Sequence, residues 1–337
     1  MKPAQAGITR FWLLMAGLAT ALAGVAVLSV AVGPMPITVK EIFRALFGGG
    51  ANDVYSKVVL SLRVPRMLLG VLVGGALASS GAAFQALLRN PLADPYILGV
   101  SGGAAVGALA ATLFLSANMF FAVPPFAFAG AVLSALVVFL LARNRSKTTP
   151  SLLILMGVIV GAFLNAVIML MVSLSPPGKI PGALYWLMGD LGQATSWRVT
   201  ILLPYVLAGS VALFLLARGL DLLLLGEDEA FHAGLDVERV KTAVYIVASL
   251  LAGSVVAVSG LIGFVGLIVP HWARALAGSV HRRLLPAAFL MGAVFLVLSD
   301  FIARTASPYG ELPVGVITAL AGAPFFLFLL RRNGRRP

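Results

Sequence analysis

Apolar residues fall in ten blocks along the chain, and each block is close to the ~20 residues that a helix needs to cross a bilayer. The blocks cover 11–32, 67–88, 96–115, 119–142, 152–174, 199–217, 240–259, 261–277, 284–303 and 313–330. Several are short or carry Gly and Pro, notably 261–277 with Pro270 inside it, an interruption tolerated where helices pack together or line a cavity. The segments between blocks differ in character. Residues 34–66 predict a short amphipathic helix around Ile37–Phe47, ended by Gly48–Gly50. Residues 175–198 hold Pro176, Pro177 and Pro181 together with Tyr185, Trp186 and Trp197, which predicts an irregular segment at a membrane interface. Residues 218–239 form the longest connection expected on the cytoplasmic side and carry six of the twelve acids.

Composition agrees with a bilayer solvent. Hydrophobic residues make up 60% of the chain and charged residues 11%, against about 25% charged in a soluble domain. The net charge of +12 would raise nucleic-acid binding in a soluble protein. Here no basic run is interleaved with aromatics, so the basic residues read as topology markers facing anionic lipid headgroups and no nucleic-acid partner is expected. The sequence has no cysteine, which excludes disulfides, thiolate metal sites and thiol nucleophiles.

Lys2 and Arg10 precede the first apolar block as they would in a signal peptide. That block, Phe11 to Val32, exceeds the ~7–15 residues of a signal core and lacks a small-residue cleavage pattern, so it reads as a retained first span. Ten spans with both termini cytoplasmic put 16 Lys and Arg inside and 8 outside, the direction of the positive-inside rule. The inner set includes Lys2, Arg89, Arg145, Lys241 and the tail Arg331, Arg332, Arg335 and Arg336; the outer set includes Arg63, Arg66, Lys179, Arg198 and Arg304. The expected fold is therefore an all-α polytopic membrane protein forming one transmembrane domain over residues 1–337.

A weak internal echo accompanies this count. Shifted by 179 residues without gaps, Gly74 meets Gly253, Ala78 meets Ala257, Ser80 meets Ser259 and Gly81 meets Gly260, and the register continues to Pro91 with Pro270 and Gly99 with Gly278. The second span runs inward and the seventh outward, so a true repeat is inverted, as in many transporters. The run Gly74–Ala83 has almost no side-chain bulk, which suits close helix packing.

The stretch Leu62-Arg63-Val64-Pro65-Arg66, followed by Gln85, Arg89-Asn90-Pro91-Leu92-Ala93-Asp94-Pro95 and Leu98-Gly99-Val100-Ser101-Gly102-Gly103-Ala104, resembles the FecCD family of permeases. So do Gly226-Glu227 to Gly234-Leu235, Gly260 to His271, Leu284-Leu285-Pro286, Glu311 to Thr318 and Gly322-Ala323-Pro324-Phe325, in that order along nearly the whole chain. The resemblance implies the ten-span permease subunit of a type II ABC importer for iron–siderophores, haem or vitamin B12, in the bacterial cytoplasmic (inner) membrane. Iron–siderophore is the leading cargo it implies, with haem and cobalamin next. It implies as partners a second copy of the chain, two ABC ATPase subunits and a periplasmic or lipid-anchored substrate-binding protein. No cofactor or metal is expected on this chain; ATP and Mg belong to the partner ATPase, and the chain has no Walker-A pattern of its own.

The resemblance also assigns residues. Arg63, Arg66 and Arg304 oppose the charge bias at the outer side; they match arginines that accept glutamates of the binding protein, while helix-end snorkelling is the bland alternative. Gly226, Glu227, Ala230, Phe231, Gly234 and Leu235 match the coupling helix pair that sits in a cleft of the ATPase, the alternative being a solvated loop. Asn90, Leu92, Pro150 and Ser151 match constrictions at the cytoplasmic ends beside a path lined by spans 5 and 10. Pro150 departs from the B12 permease, which has threonine and serine at its inner gate, and Ser151 reads equally well as a helix N-cap. His232, His271 and His281 all fall on the cytoplasmic side, and His271 follows Pro270 at an expected helix break. Asp300, deep in the ninth span, is one turn from Arg304 and pairs with it.

Two other classes compete. A proton- or sodium-coupled secondary transporter shares the span count but normally carries ionisable residues at the midplane. An intramembrane enzyme needs a convergent catalytic pair, and none lies within the spans; the chain is not expected to be an enzyme.

Overall fold

The computed structural model describes residues 3–33, 35, 37–48, 54–114, 120–144 and 147–333. Lys2, Arg145, Arg335, Arg336, Gly49 and Gly50 therefore lie outside the described residues. The first helix is α1 (Pro3–Ala31), longer than its apolar block because nothing before residue 11 forbids helix. A short α2 (Val39–Phe47) follows, and α3 (Val54–Val58) leads through a π-turn at Val59–Arg63 into α4 (Val64–Leu87). Then come a 3₁₀ turn at Pro95–Leu98, α5 (Val100–Phe114), α6 (Val123–Ala142) and α7 (Pro150–Ser173). After these lie α8 (Ile180–Leu187), α9 (Ser196–Leu215), α10 (Ala217–Leu225) and α11 (Glu227–His232). The chain continues with α12 (Val237–Ser259), α13 (Val265–Ala277), α14 (His281–Thr305) and α15 (Val314–Asn333). The described strand pairing is one two-residue ladder, Arg143↔Thr148 and Asn144↔Lys147, between α6 and α7.

Each of the ten expected spans is met by a helix. Among the described residues, seven helical segments are long and apolar enough to cross a membrane, and two shorter apolar segments, Val100–Phe114 and Val314–Phe328, accompany them. The expected helical starts at 96 and 261 are corrected. Residues 95–98 form a 3₁₀ turn, and 260–264 are non-helical, so α5 and α13 begin only at Val100 and Val265. Tyr96 joins the two irregular stretches: its hydroxyl donates to the Ile262 carbonyl at 2.8 Å and accepts the Ile262 N–H at 2.7 Å. Both irregular stretches are thus packed inside protein, where their polar backbone finds partners.

The break in 261–277 was expected at Pro270, with His271 beside it; both lie within a continuous α13. Pro270 supplies no N–H to the carbonyl of Gly266 four residues earlier, and Gln85 replaces it. The Gln85 side-chain amide donates to the carbonyls of Gly266 and Leu267 at 3.4 and 3.1 Å.

Two further expectations change. The segment 175–198 is not irregular throughout; it holds a 3₁₀ turn at Pro177–Lys179 and the two turns of α8. The amphipathic helix starts at Val39, because Thr38 and Glu41 form a reciprocal capping box. Those Thr38 bonds hold the Glu41 carboxyl below the ordinary carboxylate range.

α4 is the axis of the bundle. The share of its apolar segment that is buried is 83%, against 67% for α12 and only 11% for α1 and α7. Its small residues cause this. Gly74 meets Gly292 of α14, and Gly81 meets Gly266 of α13, so closely that a Cβ at either position would fall on the facing carbonyl. The halves also share an order: long, short, long, long in α4–α7 and again in α12–α15. The ungapped register of 179 overshoots it, since it equates Gly99, which precedes α5, with Gly278, which follows α13. The repeat lies in the order of elements, and the residue register requires a gap.

Candidate functional site

Two polar clusters lie at opposite ends of α4. Arg66 and Arg89 are 23 residues apart, or about 34 Å at the helical rise.

At the first end, Arg63, Arg66 and Arg304 converge with two acids. Asp300, 2% exposed, is the hub. Arg66 lays its guanidinium along it, with Nε 3.0 and 3.1 Å from the two carboxylate oxygens and Nη2 2.9 Å from Oδ1. Arg304, one turn beyond Asp300, places Nε 3.2 Å from Oδ2, so the expected pairing is present. Its Nη2 donates to the carbonyl and hydroxyl of Ser29 in α1, at 3.0 and 2.8 Å. The remaining Arg66 nitrogen, Nη1, is 2.6 Å from half-exposed Glu311. Arg63 faces the other way: it donates to the carbonyls of Val30 at 2.6 Å, Ala31 at 3.1 Å and Met35. The Val30 and Ala31 carbonyls end α1 and lack helical partners, Met35 lies just beyond it, and Gly33 leaves the room the guanidinium needs. Arg63 is 8% exposed, so free snorkelling does not describe it. The three arginines tie α1, α4, α14 and the lead into α15, and against two acids they leave this end net positive.

At the second end, α10 and α11 form the 218–239 connection. Gly226 separates them at φ +135, and Gly234 follows α11 at φ +81, so both expected breakers take conformations that side chains resist. Ala230 is fully buried, while Phe231 on the same short helix is 69% exposed; Leu235 is half-buried. Glu227 faces inward and holds two cations. Its Oε1 is 3.2 Å from Arg89 Nη2, and its Oε2 is 3.1 Å from the ammonium of Lys241. Lys241, 3% exposed, also binds Glu238 at 2.6 Å, and the other oxygen of Glu238 accepts the backbone N–H of Thr148 at 3.0 Å. His281 opens α14 with its backbone N–H and Nδ1 both on Asp221 Oδ1, at 2.9 and 2.6 Å.

The four expected gate residues sit on the two segments that this network grips. Asn90 and Leu92 follow Arg89 in a turn closed by the Asn90 side chain, which accepts the Leu92 N–H at 2.9 Å. Pro150 and Ser151 follow Thr148 at the start of α7. The N-cap there is Thr149, with Pro150 in the first turn, so the reading of Ser151 as the N-cap is corrected. Ser151 is exposed and Leu92 is 39% exposed.

Sequence reading missed Glu311, Arg89, Lys241 and Glu238 as partners. Only the Glu238–Lys241 pair had a signal, the three-residue helical spacing; the other pairs join residues far apart in the chain.

Comparison with known proteins adds the family. The chain is 45% identical to the cobalamin import system permease protein BtuC of Halobacterium salinarum, over 84% of this chain and 75% of that one. It is 36% identical to the Fe(3+)-citrate import system permease protein YfmE of Bacillus subtilis, over 95% of each. It is 39% identical to the hemin transport system permease protein HmuU of Yersinia pestis, over 86% and 88%. A solved inward-facing structure of a metal-chelate type ABC transporter superposes with a TM-score of 0.82 at 32% identity, covering 94% of this chain and 98% of that one. The profile of the FecCD transport family matches residues 16–332, so a multi-pass membrane fold with its charges gathered at two ends is that of a permease, and the chain belongs to the FecCD transport family.

Proposed function

We propose that the chain is the membrane-spanning permease of an ATP-driven importer whose cargo is a metal held in an organic chelator. The similarity over nearly the full length to permeases named for cobalamin, ferric citrate and hemin import carries this reading. The cargo is one of the iron–siderophore, haem and cobalamin group. ATP is hydrolysed by a separate pair of ABC subunits, and exposed Phe231 on α11 is the apolar contact that enters their cleft. A second copy packs beside the first, with the sparsely buried α7 and α15 lining the path between them. A substrate-binding protein docks on the net-positive end through carboxylates that Arg66 recognises; Arg63 and Arg304 hold the surface in shape.

The test is reconstitution of the purified permease with its ATPase in vesicles, the binding protein supplied outside with each chelate in turn. ATP-dependent accumulation of one of them is expected. Accumulation that follows a proton or sodium gradient and ignores ATP would replace this reading with a secondary transporter.

A further inference from the structure

The network at the coupling end does more than hold a loop in place. Glu227, the first residue of α11, reaches two separate segments. Through Arg89 it touches the turn that carries Asn90 and Leu92. Through buried Lys241, Glu238 and the Thr148 N–H it reaches the residue two before Pro150 and three before Ser151. Each link is a charge-assisted contact of 2.6–3.2 Å. Both cations and both carboxylates of the chain are matched, so no charge is left over to anchor it elsewhere.

The last link falls on backbone. The Thr148 N–H is accepted by a side chain from α12, immediately before the cap of α7 at Thr149. Displacement of Glu238 along α12 is therefore felt at the start of α7 through that one side chain, with no second side chain in between. Lys241 is the central piece: at 3% exposure it has room for its two carboxylates and little water, and without it Glu227 and Glu238 would face a vacated site as like charges.

Resting on the importer reading above, we infer that Lys241 and Glu238 are positioning residues that convert movement of α11 into movement of the start of α7, while Arg89 does the same for the Asn90–Leu92 turn. One carboxylate, Glu227, thereby sets both constrictions together. The network acts on coupling, and neither cargo recognition nor ATP chemistry passes through it.

The experiment measures ATP hydrolysis and chelate uptake in the same vesicles, using the whole complex with its binding protein. Lys241→Met should leave hydrolysis within about twofold and lower the chelate imported per ATP by about tenfold, the size expected for residues coupled in one network. Lys241→Arg, which keeps the charge, should restore most of that ratio. Glu238→Gln, nearly isosteric, keeps the test valid if Lys241→Met fails to assemble, and should lower the ratio in the same direction. The double variant should be no worse than the more severe single one. An unchanged ratio in Glu238→Gln, or losses that multiply in the double variant, would overturn the relay. A wild-type complex that hydrolyses ATP without importing any chelate would overturn the importer reading, and the relay with it.

Discussion

At the scale of single residues, three buried charges are each held by more than one partner. Asp300 is bonded by Arg66 and flanked by Arg304, Arg63 is spread over three carbonyls, and Lys241 sits between two acids. Breaking a buried pair from one side strands the other charge, at a cost of about 3–5 kcal/mol. Asp300→Asn should therefore lower the stability of the detergent-solubilised protein by that order, seen as an earlier thermal unfolding transition. A variant with unchanged unfolding would mean that the arginines find water at this end. The sequence placed Arg304 four residues from Asp300, so that pair was legible from helical spacing. The Arg66 pair spans 234 residues and could only emerge when α4 and α14 met.

At the scale of elements, close approach of backbones organises the packing. Gly81 on α4 abuts the carbonyl of Gly266 on α13, and the Gln85 amide one turn on caps that carbonyl, which Pro270 leaves open, and the Leu267 carbonyl beside it. Gly81→Ala should force the helices apart and cost about 1–3 kcal/mol, the usual size for overpacking. It should be read as a lower yield of monodisperse protein and a lower unfolding temperature. Gly24→Ala on α1, where a Cβ meets nothing within 4 Å, should be neutral and serves as the control. The small-residue run advertised tight packing without saying against what. The non-helical stretches before α5 and α13 were read as helix because their residues are apolar, and apolarity marks burial in lipid or protein alike without fixing backbone shape.

At the scale of the whole molecule, the polar clusters at the two ends of α4 give the bundle two faces of different chemistry. The net-positive end is the proposed landing surface for a protein that brings carboxylates, and a dimer would present it twice by symmetry. Half-exposed Glu311 already occupies one nitrogen of Arg66, as an incoming carboxylate would. Glu311→Gln should tighten binding-protein docking by a few-fold, the size of an exposed ion pair, and charge reversal at Arg66 should weaken it. Both effects should fade between about 0.1 M and about 1 M salt, as the screening length falls from about 10 Å to about 3 Å. Equal affinities for the wild type and both variants at low salt would remove these residues from the docking surface.

The sequence by itself determined the solvent, the ten apolar blocks, the charge bias and the family, because each is written in composition, block length or short contiguous motifs. It also located the breakers of the 218–239 connection, since glycine adopts the positive φ found at Gly226 and Gly234 without the steric cost of a side chain. Beyond the helical neighbours Asp300–Arg304 and Glu238–Lys241, tertiary structure alone decided which charges neutralise one another, where two spans give way to irregular backbone, and how the loop at Glu227 connects to the segments around Asn90 and Ser151. Those outcomes depend on contacts between residues 14 to 245 positions apart. No local pattern encodes such contacts; they exist once the helices pack closely enough to exclude water and lipid, so that every buried polar group must find a partner within the fold.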